Sequence, residues 1–315
     1  MKKGLSPLYL PSKTLSHLSD LVATSSSSSP WVLFKEITKF RLSVSVLFSS
    51  LAGYALGAEQ WQLTTFLLLA LGGYCMVGAS NVFNQIIEKD LDALMDRTRR
   101  RPLPAGLMSL SQALWLGVIL TLIGLTVLYM INPKTAMFGA ISIFMYVSLY
   151  TPLKTKTSLS VFVGAFPGAI PFMLGWVAAT GSFGIESGTL FMIQFFWQFP
   201  HFWAIGWFLY SDYQKAGFFM LPTGKRDKGT ATQIVLYSIW TVLASLIPAF
   251  HVTGTLELSL PAALLIGLLG LWFIWAAIRL YRNPSETVAR RLMLVSVSYI
   301  TLLQIIFVAD KFLSL

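Results

Sequence analysis

Residues 84–103 read Asn84-Gln-Ile-Ile-Glu88-Lys-Asp90-Leu-Asp92-Ala-Leu-Met-Asp96-Arg97-Thr-Arg99-Arg100-Arg101-Pro-Leu103. This polar stretch follows an apolar run, 62–83, and precedes another, 110–131. Crossing a hydrocarbon core of about 30 Å takes roughly 20 helical residues, so each flanking run is long enough to span a membrane. The quoted stretch then reads as the mouth of two spans. Outward from it, seven more apolar segments follow the same rhythm. The full set is 38–57, 62–83, 110–131, 134–150, 160–180, 188–208, 232–253, 259–280 and 290–312.

Composition agrees. The 315 residues are 55% hydrophobic and 11% charged, and mean hydropathy is +0.69. A soluble domain carries about 25% charge, which excludes a water-soluble globule. The apolar content also excludes disorder. Cys75 is the one cysteine, so neither an intrachain disulfide nor a cysteine-built zinc site is available. The expected fold is an all-α polytopic membrane protein with nine transmembrane helices. Pro167 and Pro171 predict a kink in the fifth segment, and Gly164 and Gly168 a close helix approach there.

The net charge of +10 is a loop charge rather than a nucleic-acid footprint. With alternating sides, the N-terminal region and the loops after the second, fourth, sixth and eighth segments hold 21 of the 23 Lys and Arg residues. The other side holds Lys134 and Lys311. By the positive-inside rule the N-terminus is cytoplasmic, and the cell's inner (cytoplasmic) membrane is the expected location. Residues 1–33, with the run Ser25 to Ser29 and then Pro30, read as a flexible cytoplasmic tail, and 34–315 as the membrane domain. A transit peptide is the competing reading of the tail.

Four of the 13 acidic residues lie in the quoted stretch. Asn84, Glu88 and Asp92 are spaced i, i+4, i+8, so they drift only about 80° around a helix. They form one stripe, which Asp96 continues at its edge, while Asp90 points away. Like charges at that spacing repel. Oxygen ligands in a row suit Mg²⁺, which takes one or two carboxylates and completes its shell with water and phosphate. Arg97 and Arg101 beside them can hold phosphate oxygens. A solvated helix end obeying the positive-inside rule is the plainer alternative.

A second cluster runs from Trp197-Gln-Phe-Pro-His201-Phe-Trp203 to Tyr210-Ser-Asp212-Tyr-Gln-Lys215 and Met220-Leu-Pro222. His201 lies inside an apolar segment, where an ionisable group marks a functional site by default. A hydrogen-bonded core histidine is the alternative. Both polar clusters follow even-numbered spans, which points to an internal repeat.

Asn84-x-x-x-Glu88-x-x-x-Asp92 after the second of nine spans resembles the UbiA superfamily of intramembrane prenyltransferases. The run through Met95-Asp-Arg-Thr-Arg-Arg-Arg-Pro-Leu103, with Trp197 to Trp203 and Asp212-Tyr-x-Lys215-Ala-Gly-x-x-Met-Leu-Pro222, is similar to its protoheme IX farnesyltransferase (heme O synthase) branch. The resemblance covers residues 34–312. It implies transfer of farnesyl from farnesyl diphosphate to a vinyl group of heme B, giving heme O on the route to heme A and terminal oxidases. On that reading the cofactor is Mg²⁺, held by Asn84, Glu88 and Asp92, with Asp212 as a further catalytic residue. Arg97, Arg101 and Lys215 neutralise the departing diphosphate. His201 and Tyr210 complete the substrate-binding set, and Trp203 is a second residue for the heme pocket. The partners implied are farnesyl diphosphate, heme B, the lipid bilayer and a heme A synthase, with no nucleic acid. Two departures stand out: Glu88 occupies a position where the family usually has Asp, and the loop after the sixth span offers Asp212 where relatives often have two acids. Other readings remain at this stage: a UbiA-type enzyme with an aromatic acceptor, a secondary transporter, or an oxidase-assembly subunit without chemistry.

Overall fold

A chain in hydrocarbon must pair its backbone polar groups internally, which favours helices that each cross the membrane. The computed structural model describes residues 29–313, and they are all-helical with no strand among the described residues. The Ser run of the expected tail, Ser29 excepted, lies outside the described residues. The last four residues assigned to the tail, 30–33, instead open a helix, α1 (Pro30–Ile37), with proline in its first turn.

The remaining helices are α2 (Phe40–Gly57), α3 (Leu63–Ile87), α4 (Lys89–Leu94), α5 (Leu110–Ile131), α6 (Pro133–Leu153), α7 (Leu159–Thr180), α8 (Ile185–Phe208), α9 (Tyr210–Lys215), α10 (Lys228–Leu246), α11 (Leu260–Arg282) and α12 (Glu286–Leu313). Eight of these are long and apolar enough to span a membrane. The ninth expected span, α8, has 24 residues, about 36 Å of rise. Its hydropathy falls short because Gln194, Gln198 and His201 interrupt an aromatic run.

Local signals set the boundaries. Ser109 and Gln112 form a capping box that starts α5. The Asn132 side chain accepts from Thr135 N–H at 2.9 Å and starts α6, with Pro133 in its first turn. The α7 helix runs unbroken through Pro167 and Pro171. It is the central helix, with 72% of its most apolar window buried against 22% for α5. It packs against α2 and α8. The closest backbone approach is not at Gly164 and Gly168, whose neighbours are the side chains of Tyr150 and Gln198. It is at Gly53 of α2 against Gly175 of α7, where an added Cβ would lie 2.0 Å from the Phe172 carbonyl oxygen or 1.9 Å from that of Ser50.

The last helix closes on the first spanning helix, α2. Lys311 Nζ donates to the carbonyls of Ala55, Leu56 and Ala58 at 3.1, 2.7 and 2.7 Å, covering the C-terminal end of α2. Deeper in the bundle, Gln304 of α12 donates to Ser49 of α2 at 3.0 Å and to Gln194 of α8 at 3.3 Å. Loops predicted to share a side meet one another. Arg226 reaches Glu286 at 2.6 Å, and Phe219 N–H donates to the Lys154 carbonyl at 2.7 Å.

Candidate functional site

The site is built where α3 stops. Glu88 leaves helical geometry (φ −93°, ψ 8°), and α4 restarts for six residues. The helical phase nevertheless survives the break, because Glu88 N–H donates to Asn84 O at 2.9 Å and Asp92 N–H to Glu88 O at 2.7 Å. Asn84, Glu88 and Asp92 therefore stay on one face and are buried, at 1%, 3% and 0% exposure, while Asp90 is exposed. Asp96 lies beyond the end of α4 and is exposed, off the stripe.

Each member of the stripe meets a cation or a hydroxyl. Asn84 Oδ1 accepts from Lys39 Nζ at 3.2 Å, and its amide donates to Thr151 Oγ1 at 3.2 Å. Glu88 Oε1 lies 2.7 Å from Lys154 Nζ, and Asp92 Oδ2 lies 2.7 Å from an Arg101 nitrogen. Asp92 Oδ1 is buried with no hydrogen-bond partner among the described residues. A buried carboxylate oxygen left unpaired is costly unless a ligand completes it. No three His, Cys, Asp or Glu side chains cluster as a metal cage among the described residues. Two carboxylates and an amide match what Mg²⁺ takes from a protein when phosphate supplies other ligands.

Lys39 and Lys154 escaped the sequence reading, which counted both only as loop charges. Lys154 follows a π-helical turn, Met145–Tyr150, in α6. Such turns re-aim side chains and cluster at functional sites. This one brings Thr151 to Asn84 and Lys154 to Glu88, with the Lys154 ammonium also 4.5 Å from the Tyr150 ring centre. Burial pushes the Lys154 ammonium down, but Glu88 together with Tyr146 and Tyr213 outweighs it and the net shift is upward. Lys39 sits at the break between α1 and α2 with a left-handed φ of 49°, a strained conformation for a non-glycine residue. Burial, and then the nearby Arg101 and Lys154, lower its pKa to about 7. Three cations thus crowd around the two carboxylates.

The second cluster repeats the first in backbone terms. Leu209 breaks α8 at φ −99°, ψ 13°, and α9 again has six residues. Superposing the two breaks aligns Leu209 with Glu88 and Tyr213 with Asp92, so Asp212 falls one position before the stripe. Its carboxylate accepts instead from the backbone N–H groups of Asp96 at 2.9 Å and Arg97 at 3.4 Å. Lys215 pairs with the Asp96 carboxylate and lies 3.4 Å from Asp212. Asp96 and Lys215 hold each other charged, the acid below its usual range and the base above it. Arg97 is exposed, and its link to this cluster runs through its backbone. Tyr210 hydroxyl donates to the Gly224 carbonyl at 3.1 Å, and the Arg226 guanidinium lies 4.9 Å from the Tyr210 ring centre. Of the predicted residues, the structure therefore groups Asn84, Glu88, Asp92 and Arg101 in one buried site. Asp212, Lys215 and Tyr210 brace the loop above it.

His201 and Trp203 lie on different faces of α8. His201 is half-buried against α12, with Nδ1 2.8 Å from Ser296 Oγ. Trp203 is 4% exposed and packs edge-on against Tyr237 of α10, its indole nitrogen unpaired among the described residues.

Comparison with known proteins places this arrangement. The model of the UbiA prenyltransferase family matches residues 46–301. Protoheme IX farnesyltransferase of Flavobacterium psychrophilum is 67% identical over 283 residues, covering 89% of this chain and 94% of that protein. That of Christiangramia forsetii is 69% identical over 280 residues, covering 89% and 93%. Among solved structures, a digeranylgeranylglyceryl phosphate synthase superposes with a TM-score of 0.74 at 18% identity, covering 88% of this chain and 97% of its own. A UbiA homolog from Archaeoglobus fulgidus bound to GPP and Mg²⁺ gives 0.64 at 15% identity, covering 88% and 99%. These two share the fold. The chain belongs to the UbiA prenyltransferase family, within it to the protoheme IX farnesyltransferases.

Proposed function

We propose that this chain transfers the farnesyl group of farnesyl diphosphate to a vinyl group of heme B and that water completes the product, heme O. The observation that carries the residue assignment is the buried Glu88–Asp92 pair, ringed by Lys39, Arg101 and Lys154, with Asp92 Oδ1 left unpaired. Relatives at 67% and 69% identity that bear the protoheme IX farnesyltransferase name support heme as acceptor.

In this reading Asn84, Glu88 and Asp92 hold Mg²⁺, which when bound polarises the diphosphate and stabilises it as a leaving group. Arg101, Lys154 and Lys39 face the same anion and neutralise the charge that grows on it, the kind of preorganised electrostatics that is usually the largest catalytic contribution. The C1–O bond of farnesyl diphosphate breaks, and C1 bonds to the outer vinyl carbon. Water then adds its hydroxyl to the inner vinyl carbon and releases a proton. Asp212, Lys215 and Tyr210 keep the flanking loops over the site, which excludes bulk water from the allylic cation. The excess of basic residues on the site's side of the bundle supports a cytoplasmic N-terminus in an inner membrane, with the diphosphate arriving from the cytoplasm. The product suits a heme A synthase as recipient.

The test is product analysis in ¹⁸O-labelled water with purified protein, heme B, farnesyl diphosphate and Mg²⁺. The expected product is heme carrying one farnesyl group and one ¹⁸O. Unchanged heme together with prenylation of hydroxybenzoate would favour an aromatic acceptor instead.

A further inference from the structure

His201 and Trp197 stand one helical turn apart on α8, and both are tied to a single turn of α12. Trp197 Nε1 donates to the Ser296 carbonyl at 2.7 Å, and the Trp197 and His201 rings stack at 4.6 Å and 18°. The Ser296 hydroxyl has one proton, and it goes to the Met293 carbonyl at 2.7 Å. Ser296 Oγ is therefore an acceptor toward His201 Nδ1, 2.8 Å away, so Nδ1 carries the ring proton. That leaves Nε2 deprotonated, with its lone pair unused. Nε2 has no hydrogen-bond partner among the described residues, and it is not sealed off in the core. The ring is also fixed in orientation, by the Trp197 stack on its face and by Ser296 at its edge.

A neutral imidazole with one nitrogen donating and the other free is the arrangement found for histidines that ligate metals. His201 is seven residues before the end of α8, about 10 Å below the loops that carry the diphosphate site. Nothing in the farnesyl diphosphate chemistry uses it. We propose that His201 Nε2 coordinates the iron of the heme acceptor, and that Ser296 and Trp197 are its positioning residues. The inference rests on heme being the acceptor. Iron–nitrogen coordination would fix the porphyrin plane, so that one vinyl edge is presented to C1 of the farnesyl chain.

The test is spectroscopic and needs no turnover. The purified full-length protein is loaded with heme B, and the Soret band and the iron–histidine stretch of the reduced form are recorded. Farnesyl diphosphate binding is measured separately as a check of fold. The unsubstituted protein should show histidine ligation. His201→Ala and His201→Gln should lose it while binding farnesyl diphosphate normally, and added imidazole should restore it in His201→Ala. Ser296→Ala should keep the ligand but shift the iron–histidine stretch and weaken heme affinity by about tenfold, as loss of an outer-shell partner does. Heme bound by His201→Ala with an unchanged histidine signature would overturn the coordination while leaving heme as the acceptor. Failure of the unsubstituted protein to bind heme B at all would overturn the acceptor assignment and the coordination with it.

Discussion

The Lys154 ammonium and the Glu88 carboxylate stand 2.7 Å apart, with 9% and 4% of their side chains exposed. They come from different loops, and nothing short of the assembled bundle brings them together. Breaking a buried ion pair from one side leaves an uncompensated charge, which costs about 3–5 kcal/mol. Lys154→Met should therefore lower the unfolding temperature in detergent and abolish turnover. The double variant Glu88→Gln with Lys154→Met should recover most of the stability and none of the activity. Recovery of activity would show that the pair is only structural.

Asp92 and Asp90 are two residues apart and face opposite environments, one buried beside Arg101 and the other exposed. Asp92→Asn should reduce the rate by about a hundredfold or more and weaken the response to Mg²⁺, a size set by losing one preorganised electrostatic contact. Asp90→Asn should stay within about twofold. Equal sensitivity would mean that the helical phase carried past Glu88 is wrong. Glu88→Asp keeps a carboxylate on the same face and should retain part of the activity.

Asp212 holds the backbone of Asp96 and Arg97 rather than joining the stripe. Asp212→Ala should increase proteolytic cleavage within residues 95–109 and raise KM for farnesyl diphosphate more than it lowers kcat. The accompanying Asp96–Lys215 pair has a simple pH sign. Asp96 has a lowered pKa, so its contribution is lost only as pH falls below the usual carboxylate range; Lys215 has a raised one, so its contribution is lost only above the usual lysine range. Between about pH 5 and 9 the protease resistance of the loop should be flat with pH. It should fall with added salt, because the pair is exposed.

Gly53 and Gly188 make a contrast in packing. A Cβ at Gly53 would lie 2.0 Å from the Phe172 carbonyl oxygen, whereas one at Gly188 meets nothing within 4 Å. Gly53→Ala should cost about 1–3 kcal/mol or more, since α2 and α7 must part. Gly188→Ala should be neutral or slightly stabilising. Thermal unfolding in detergent decides both.

The residues that were legible in the sequence are those whose evidence is local. Asn84, Glu88 and Asp92 could be phased because a four-residue step nearly closes a helical turn, and the phase survives the break at Glu88. Eight spans were legible from length and hydropathy, while the expected ninth, α8, forms a helix of 24 residues whose hydropathy falls short. Lys39 and Lys154 were not legible. The positive-inside rule already accounts for a lysine in a cytoplasmic loop, and only the π turn in α6 and the left-handed Lys39 show that both aim inward. Asp212 was assigned through the family resemblance. The breaks in α3 and α8 have matching backbone geometry but set Asp212 one residue off the equivalent stripe. Gly164 and Gly168 had the right spacing for close packing, yet the close approach falls at Gly175, because contact across helices depends on the partner surface and not on spacing alone.

The most direct test joins the site to the reaction. Purified protein and its Asp92→Asn variant are each given heme B and farnesyl diphosphate, with and without Mg²⁺, and the extracted hemes are weighed by mass spectrometry. The account predicts heme O as the main product of the unsubstituted protein with Mg²⁺, and about a hundredth as much or less in the other three samples. Unaltered heme B in all four, or heme O from Asp92→Asn at the unsubstituted rate, would contradict it.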